Sequence, residues 1–193
     1  MKTKLITACL AAMLTTSASA LSFDWAATGV SFNGTRLKSN ESVSGYLIYL
    51  GSSGSLSGSY DISSDTISTI VSEIGTQVST VSKTSSMSKL TGTYETDYGT
   101  AGGRNGDVFA MLLTFTNEGT TYYNLSSTTF TLSGVADDGA VIDAQAFSFS
   151  YSTADASTSV SKGGGWTAAA VPEPSTAALA LAGLALLLKR RKA

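Results

Sequence analysis

Carboxylates are the side chains in this sequence with the most potential for chemistry, because the chain has no histidine and one cysteine, Cys9. Catalysis by Ser–His or Cys–His pairs and ligation of zinc or haem by these residues are therefore excluded from the body of the chain. A glycoside hydrolase needs two carboxylates across a sugar-binding cleft. Thirteen Asp and Glu between residues 21 and 171 offer many pairs, but none has a recognisable catalytic context. We expect no catalytic residue, no metal centre and no cofactor.

Two acidic turns contain the oxygen ligands that calcium prefers. The first is Gly102–Asp107, whose glycines and terminal aspartate are similar to the calcium turns of repeat β-helices. The second is Asp137-Asp138-Gly139. Sites of the β-helix type need stacked repeats, and the first turn occurs once. Plain turns are the favoured interpretation of both segments.

Aromatic residues could stack on sugar rings, and they are the other candidates for a binding surface. Aromatic side chains in strands more often form core contacts or cross-strand pairs, which makes core positions the favoured interpretation. The candidates are Trp25, Tyr94, Tyr98, Tyr122 and Trp166.

The body of the chain is acidic. Residues 21–171 contain six Lys and Arg and thirteen Asp and Glu, a net charge of −7, although the whole chain is at −2. Half of the basic residues lie in the two ends of the chain. Because such a body lacks the basic surface that phosphate backbones need, we expect no nucleic-acid partner.

Most segments between the two ends have the alternation of half-buried strands. The strongest is Val108–Phe115, a nearly continuous apolar stretch typical of a central strand. Glu118-Gly119 follows it as a hairpin turn, and a long strand containing Ala144–Phe149 comes last. Ser, Thr and Gly are abundant, as in secreted β proteins. We predict a mainly β fold, a single antiparallel β-sandwich-like domain over residues 21–170.

One segment departs from this alternation. Its apolar residues are spaced for one face of a helix, namely Ile67, Ile70, Val71, Ile74, Val78 and Val81. The stripe predicts an amphipathic helix over about residues 65–82. The many β-branched residues and Gly75 leave open two strands instead, Thr66–Ile74 and Gln77–Lys83.

The amino terminus has the three parts of a secretory signal peptide in their usual order. A basic start, Met1–Lys4, precedes an apolar helical stretch, Leu5–Thr15. Small residues at Ala18 and Ala20 then suit the pockets of a signal peptidase. The sequence therefore predicts an exported protein whose signal peptide, residues 1–20, is cut after Ala20.

The carboxyl terminus also has three ordered parts. Val171, Pro172, Glu173 and Pro174 form an extended motif, because the two prolines cannot join a helix that follows. The apolar run 177–188 gives roughly 18 Å of transmembrane helix, shorter than the roughly 30 Å hydrocarbon core, so it would serve poorly as a permanent anchor. A basic cluster ends the chain and stops transfer across the membrane. Its residues are Lys189, Arg190, Arg191 and Lys192.

This tail, residues 171–193, resembles the PEP-CTERM sorting domain of diderm bacteria. The resemblance implies an exosortase, a membrane cysteine transpeptidase, as the processing partner, in organisms that make exopolysaccharide. It implies a membrane-anchored precursor and then a protein at the cell surface or outside the cell. It says nothing about the fold or the role of residues 21–170.

Two classes of function agree with these observations. The first is a non-enzymatic structural or adhesive protein of the cell surface, associated with extracellular polysaccharide or biofilm. The second is a secreted carbohydrate-binding module or a carboxylate-dependent glycoside hydrolase. The tail predicts the destination of the protein, and the body leaves both classes open.

Overall fold

The computed structural model describes residues 20–37, 42–63, 66–83, 89–135, 141–151 and 155–170. Within these ranges the protein is mainly β, as the sequence predicts, with one helix. The elements in chain order are β1 Ala20–Thr28, β2 Ser31–Phe32, β3 Thr35–Arg36, β4 Val43–Ser52, β5 Ser59–Asp61, α1 Ile67–Ile74, β6 Thr76–Lys83, β7 Lys89–Asp97, β8 Asp107–Asn117, β9 Thr120–Leu125, β10 Phe130–Thr131, β11 Val141–Phe147, β12 Asp155–Ser157, β13 Ser159–Ser161 and β14 Thr167–Ala169.

Two main sheets form the domain. The small sheet has the strand order β11-β1-β7. The large sheet has the order β12-β14-β9-β8-β4-β6, and β10 adds to β8. The strand predicted at Val108–Phe115 is β8, which lies in the middle of the large sheet. The predicted turn Glu118-Gly119 joins β8 to β9, and both of its residues have positive φ, 50° and 81°.

The main core lies between the two sheets. The rings of Phe23 in β1 and Phe109 in β8 meet edge to face, with centroids 5.4 Å apart. Trp25 is fully buried in the same cluster. A second core covers the outer face of the large sheet, where α1, β5 and β13 pack over residues such as Ile48 and Leu112. Strand alternation thus gives the large sheet two apolar faces and the domain a sandwich-like form.

The sheets are mixed, which corrects the expectation of an antiparallel fold. Strand β11 runs parallel to β1, and β12 runs parallel to β14. Parallel neighbours need a crossover connection, and most of the chain lies between β1 and β11. The final predicted strand is also shorter than expected, since β11 ends at Phe147.

The helix predicted over residues 65–82 is wrong in its second half. Helix α1 ends at Ile74, where the Gly75 N–H donates to the Val71 carbonyl at 3.0 Å. A Cβ atom at Gly75 would lie 2.5 Å from the Tyr49 carbonyl oxygen, so only glycine fits there. The following residues form β6, as the two-strand alternative predicts. The first strand of that alternative, Thr66–Ile74, is wrong, because α1 lies there. Val78 and Val81 are three apart, a spacing that fits one face of a helix. The same spacing also fits a strand with a bulge, and β6 has such a bulge in its pairing with β4.

Candidate functional site

The structure describes one residue, Ala20, of the signal peptide and none of the sorting tail 171–193. Ala20 is the first residue of β1 and pairs with Asp97 of β7. Ala18, the motif Val171–Pro174 and the basic cluster Lys189–Lys192 lie outside the described residues. The apolar run 177–188 lies outside them too, and no helix among the described residues is long and apolar enough to cross a membrane.

The chain reaches its sorting motif directly from a strand of the large sheet. Strand β14 pairs with β9 on one side and with β12 on the other. The Ala170 N–H still donates to the Ser157 carbonyl at 2.9 Å. Glu173 is three residues further on, so it lies within about 11 Å of Ala170 by chain length alone. The fold therefore leaves almost no linker between the body and the motif.

Trp166 fixes the start of this last strand. Its side chain is 1 % exposed, and its Nε1–H donates to the Ser31 carbonyl at 2.6 Å. Its ring lies 6.0 Å from those of Phe32 and Phe115. The strand that precedes the sorting motif is thereby anchored in the main core.

The position of the motif defines two ends of the domain. Because Ala168 pairs with Tyr122, β14 runs on toward the Glu118-Gly119 turn. We call this the tail-side end. Ala20, the Asp97–Gly106 loop and the start of β8 lie at the opposite end, since Ala20 pairs with Asp97.

Next to the tail-side end, the outer face of the large sheet carries hydroxyl groups from four adjacent strands. Thr80, Ser82 and Thr116 are exposed, while Ser44 and Thr121 are half-buried. The pairs Ser44–Ser82 and Thr116–Thr121 lie opposite each other in the register, which puts all five on one face. We call this surface the hydroxyl face.

The hydroxyl face is uncharged and hydrogen-bonded across strands. The oxygen atoms of Ser44 and Ser82 are 2.7 Å apart, and those of Thr116 and Thr121 are 3.3 Å apart. Each hydroxyl has one donor and two acceptor positions, so capacity for further hydrogen bonds remains. Such an array can bind neutral polar polymers, including sugars. Sequence reasoning missed it, although Ser and Thr at alternate strand positions were its signal.

The turn Gly102–Asp107 has a structural role. The Asp107 side chain is fully buried at the start of β8. Its Oδ1 accepts hydrogen bonds from the hydroxyls of Tyr49 at 3.0 Å and Ser52 at 2.8 Å. Its Oδ2 accepts from the Arg104 N–H at 2.9 Å. Both oxygens are thus engaged by protein donors, which supports the plain turn over the calcium site.

The hydrogen bonds to Asp107 also decide its ionisation. Burial alone would raise the pKa of this carboxyl, because desolvation penalises the charged form. The donors Ser52, Arg104, Tyr49 and the Gly102 backbone together outweigh burial, and the pKa lies below its usual value. Asp107 is therefore a buried anion held by hydrogen bonds. The other acidic turn, Asp137-Asp138-Gly139, lies outside the described residues.

The candidate sugar-stacking residues are mostly core residues. Trp25, Tyr94 and Trp166 are buried in the main core, as the favoured interpretation predicts. Tyr98 and Tyr122 are half-buried and pack against the same core. Tyr122 contacts Phe32 edge to face at 4.7 Å.

Two carboxylates border a shallow groove at the opposite end. Ala20, Glu95, Thr96, Asp97 and Thr100 line this space of about 410 Å³. Glu95 and Asp97 are two apart on one strand, so both project from the same face of β7. A glycoside hydrolase needs its two carboxyls on either side of the sugar, and these two do not face each other across the groove. No group of three or more acidic, His or Cys side chains suited to a metal occurs among the described residues.

Comparison with known proteins identifies the tail. The family described as the PEP-CTERM protein-sorting motif matches residues 170–192. The motif implies export, sorting to the cell surface and processing by an exosortase. Neither the curated proteins nor the solved structures contain a match to this chain. The match begins at Ala170, the residue that is still hydrogen-bonded to β12.

Proposed function

We propose that this protein is a non-enzymatic structural or adhesive component of the bacterial surface, which associates with extracellular polysaccharide after an exosortase has processed it. The observation that carries the proposal is the placement of the sorting motif. It continues directly from β14, a strand of the sheet that bears the hydroxyl face. Until it is cut, this tail keeps the hydroxyl face close to the surface where a polysaccharide matrix is made.

The short apolar run supports a temporary membrane stage. Twelve residues, 177–188, give roughly 18 Å of helix, well below the roughly 30 Å of hydrocarbon. The signal peptide of residues 1–20 directs export, and cutting after Ala20 starts the mature chain at Leu21. Removal of the basic tail then releases an acidic body.

The hydroxyl face suits a polysaccharide better than a charged partner. Its five residues are neutral, and each can exchange hydrogen bonds with sugar hydroxyls. Single hydrogen bonds of this kind contribute about 0.5–1.5 kcal/mol each, so binding gains from many repeats along a polymer. We therefore expect weak binding to one sugar unit and retention by a long chain.

The test is affinity electrophoresis of the processed protein in gels that contain the polysaccharide of the producing cells. The double variant Ser82→Ala, Thr116→Val keeps strand-compatible side chains but removes two hydroxyls, and we expect it to lose most of the retardation. Thr91→Val is the matched control, because Thr91 is exposed on β7 of the small sheet. Equal retardation of all three proteins contradicts the assignment of this face.

An enzymatic role has its own readout. The groove lined by Glu95 and Asp97 is where a carboxylate-dependent hydrolase would act. Release of reducing sugar ends by the wild type, abolished in Glu95→Gln or Asp97→Asn, would overturn the non-enzymatic part of the proposal.

A further inference from the structure

We propose that the tail-side end of the domain docks on the anionic phospholipid surface while the sorting segment holds the precursor in the membrane. The inference rests on the proposed function, because it requires a membrane-held precursor. It adds a contact surface on the folded body and an orientation for the precursor.

Three cations from separate strands lie at the tail-side end. Lys83 pairs with Val43 at one edge of the large sheet, and Lys89 pairs with Thr28 in the small sheet. The Lys83 ammonium donates to the Lys89 carbonyl at 3.0 Å, which holds the two strands together there. Arg36 is the third cation, exposed in the β2–β3 hairpin.

The β2–β3 hairpin lies at this same end. The Phe32 ring contacts the rings of Phe115 and Trp166, with centroids 5.0 and 6.0 Å away. Phe115 pairs with Val43, the partner of Lys83. Arg36 is exposed close to the strand from which the sorting segment leaves.

Fewer of the placed carboxylates than of the placed cations lie toward the tail-side end. Among the described residues they are Glu118, in the β8–β9 turn, and Asp155, which pairs with Thr167 of β14. Glu95 and Asp97 lie at the opposite end beside Ala20, and the anionic Asp107 is there as well. Among the residues that the structure describes, Arg104 is a cation at that end. An anionic surface therefore attracts the tail-side end and repels the opposite end.

The length of the tail keeps this end near the bilayer. Ala177, where the apolar run begins, lies seven residues after Ala170. At the full extension of about 3.6 Å per residue, they span at most about 25 Å. A tether this short gives an effective concentration in the millimolar range. Each cation at an anionic surface favours the docked over the undocked orientation about fivefold. Preferences of this size maintain docking only while the tether keeps the body near the bilayer.

Docking of this strength ends when the tail is removed. The free body has a net charge near −7, and anionic lipid repels it as a whole. Exosortase processing therefore frees the body from the bilayer without an additional release step.

The test uses residues 21–193, the precursor that remains after the cut at Ala20, in lipid vesicles. This chain has no cysteine, so one introduced cysteine carries a fluorophore. The label is placed at Thr35→Cys on the tail-side end or at Thr100→Cys on the opposite end. Energy transfer to an acceptor lipid headgroup then reports which end faces the bilayer. Flotation of the same vesicles reports separately whether the tail holds the chain.

We expect stronger transfer from position 35 than from position 100 on vesicles that contain phosphatidylglycerol, and a smaller difference on phosphatidylcholine alone, where only the tether acts. The double variant Arg36→Gln, Lys89→Gln should lower the orientation preference about 25-fold, since each cation contributes about fivefold. Arg104→Gln is the control and should not lower the preference, because Arg104 lies at the opposite end.

Four results overturn the inference. The first is a difference in transfer that is no larger on anionic vesicles than on phosphatidylcholine, although both float with the chain, which leaves the proposed function intact. The second is a preference that the double variant retains. The third is failure to float, which overturns the membrane-held precursor and the docking together. The fourth is binding of the processed body to an acidic polysaccharide through Arg36 and Lys89 without a vesicle effect, which would assign the cations to that polymer.

Discussion

Asp107→Asn tests whether a buried anion holds the start of the central strand. The replacement keeps the size of the side chain and removes the charge. Hydrogen bonds to a charged group contribute about 1.5–3 kcal/mol, compared with about 0.5–1.5 kcal/mol for neutral ones. Three such bonds, from Tyr49, Ser52 and Arg104, would lose about 3 kcal/mol together. Burial of a neutral amide is easier than burial of a carboxylate, so we expect a net loss of about 2 kcal/mol.

The pH dependence has a defined sign. The pKa of Asp107 is lower in the folded protein than its usual value, so folding favours the ionised form. Its contribution to stability is complete above the unfolded pKa near 4 and is lost as the pH falls through the lower folded pKa. The difference between wild type and Asp107→Asn should therefore be largest at pH 7 and shrink below pH 4.

Urea unfolding at pH 7 and pH 3 measures this difference. A loss of about 2 kcal/mol corresponds to a fall in melting temperature of about 4–8 °C for a domain of this size. Asp143→Asn is the control, because Asp143 is exposed on β11 and a surface change should stay within about 0.5 kcal/mol. A variant as stable as wild type at pH 7, or an undiminished difference at pH 3, would refute the role of the charge.

Two further substitutions test the packing and the helix boundary. In Gly92→Ala the new Cβ would lie 2.5 Å from Trp25 Cζ2, so we expect a loss of about 1–3 kcal/mol in urea unfolding. Gly58→Ala, which meets nothing within 4 Å, is its control, and equal losses in the two variants would contradict the close approach. Thr66→Ala removes the oxygen that accepts from the Thr69 N–H and should cost about 1 kcal/mol in thermal unfolding, whereas Thr66→Ser should retain the cap. Equal losses in Thr66→Ala and Thr66→Ser would show that Thr66 does not act through this bond.

Strands with strong local patterns could be predicted from the sequence. Val108–Phe115 is buried on both faces because each face of the large sheet has its own core. The turn at Glu118-Gly119 is signalled by Gly119, which accepts positive φ without steric cost, although Glu118 has positive φ as well. Both features are decided by residues close in sequence, where patterns are informative.

Features decided by distant residues could not be predicted. The parallel pairing of β11 with β1 depends on a crossover that no local pattern shows. The end of α1 depends on Tyr49, whose carbonyl leaves room only for glycine at position 75. The Gly102–Asp107 turn was visible, but the hydroxyls of Tyr49 and Ser52 that hold its aspartate come from a different strand.

The candidate functional residues show the same difference between features decided by neighbouring residues and features decided by distant ones. The sorting motif is a contiguous signal, and the family match confirms it. The hydroxyl face is spread over four strands, and its residues come together only through the register of β4, β6, β8 and β9. The three cations of the tail-side end are likewise separated in sequence. The sorting motif could therefore be predicted from the sequence, whereas the two surfaces of the body could be found only from the fold.

The most direct test of the sorting assignment replaces Pro172, Glu173 and Pro174 together with alanine. Cells that encode an exosortase are then fractionated, and intact mass is measured for the protein in the membrane fraction and outside the cell. We expect the wild type to be found as a body that has lost the basic cluster Lys189–Lys192, and the variant to stay in the membrane fraction with its tail intact. A variant that loses its tail and leaves the membrane as the wild type does would contradict the account.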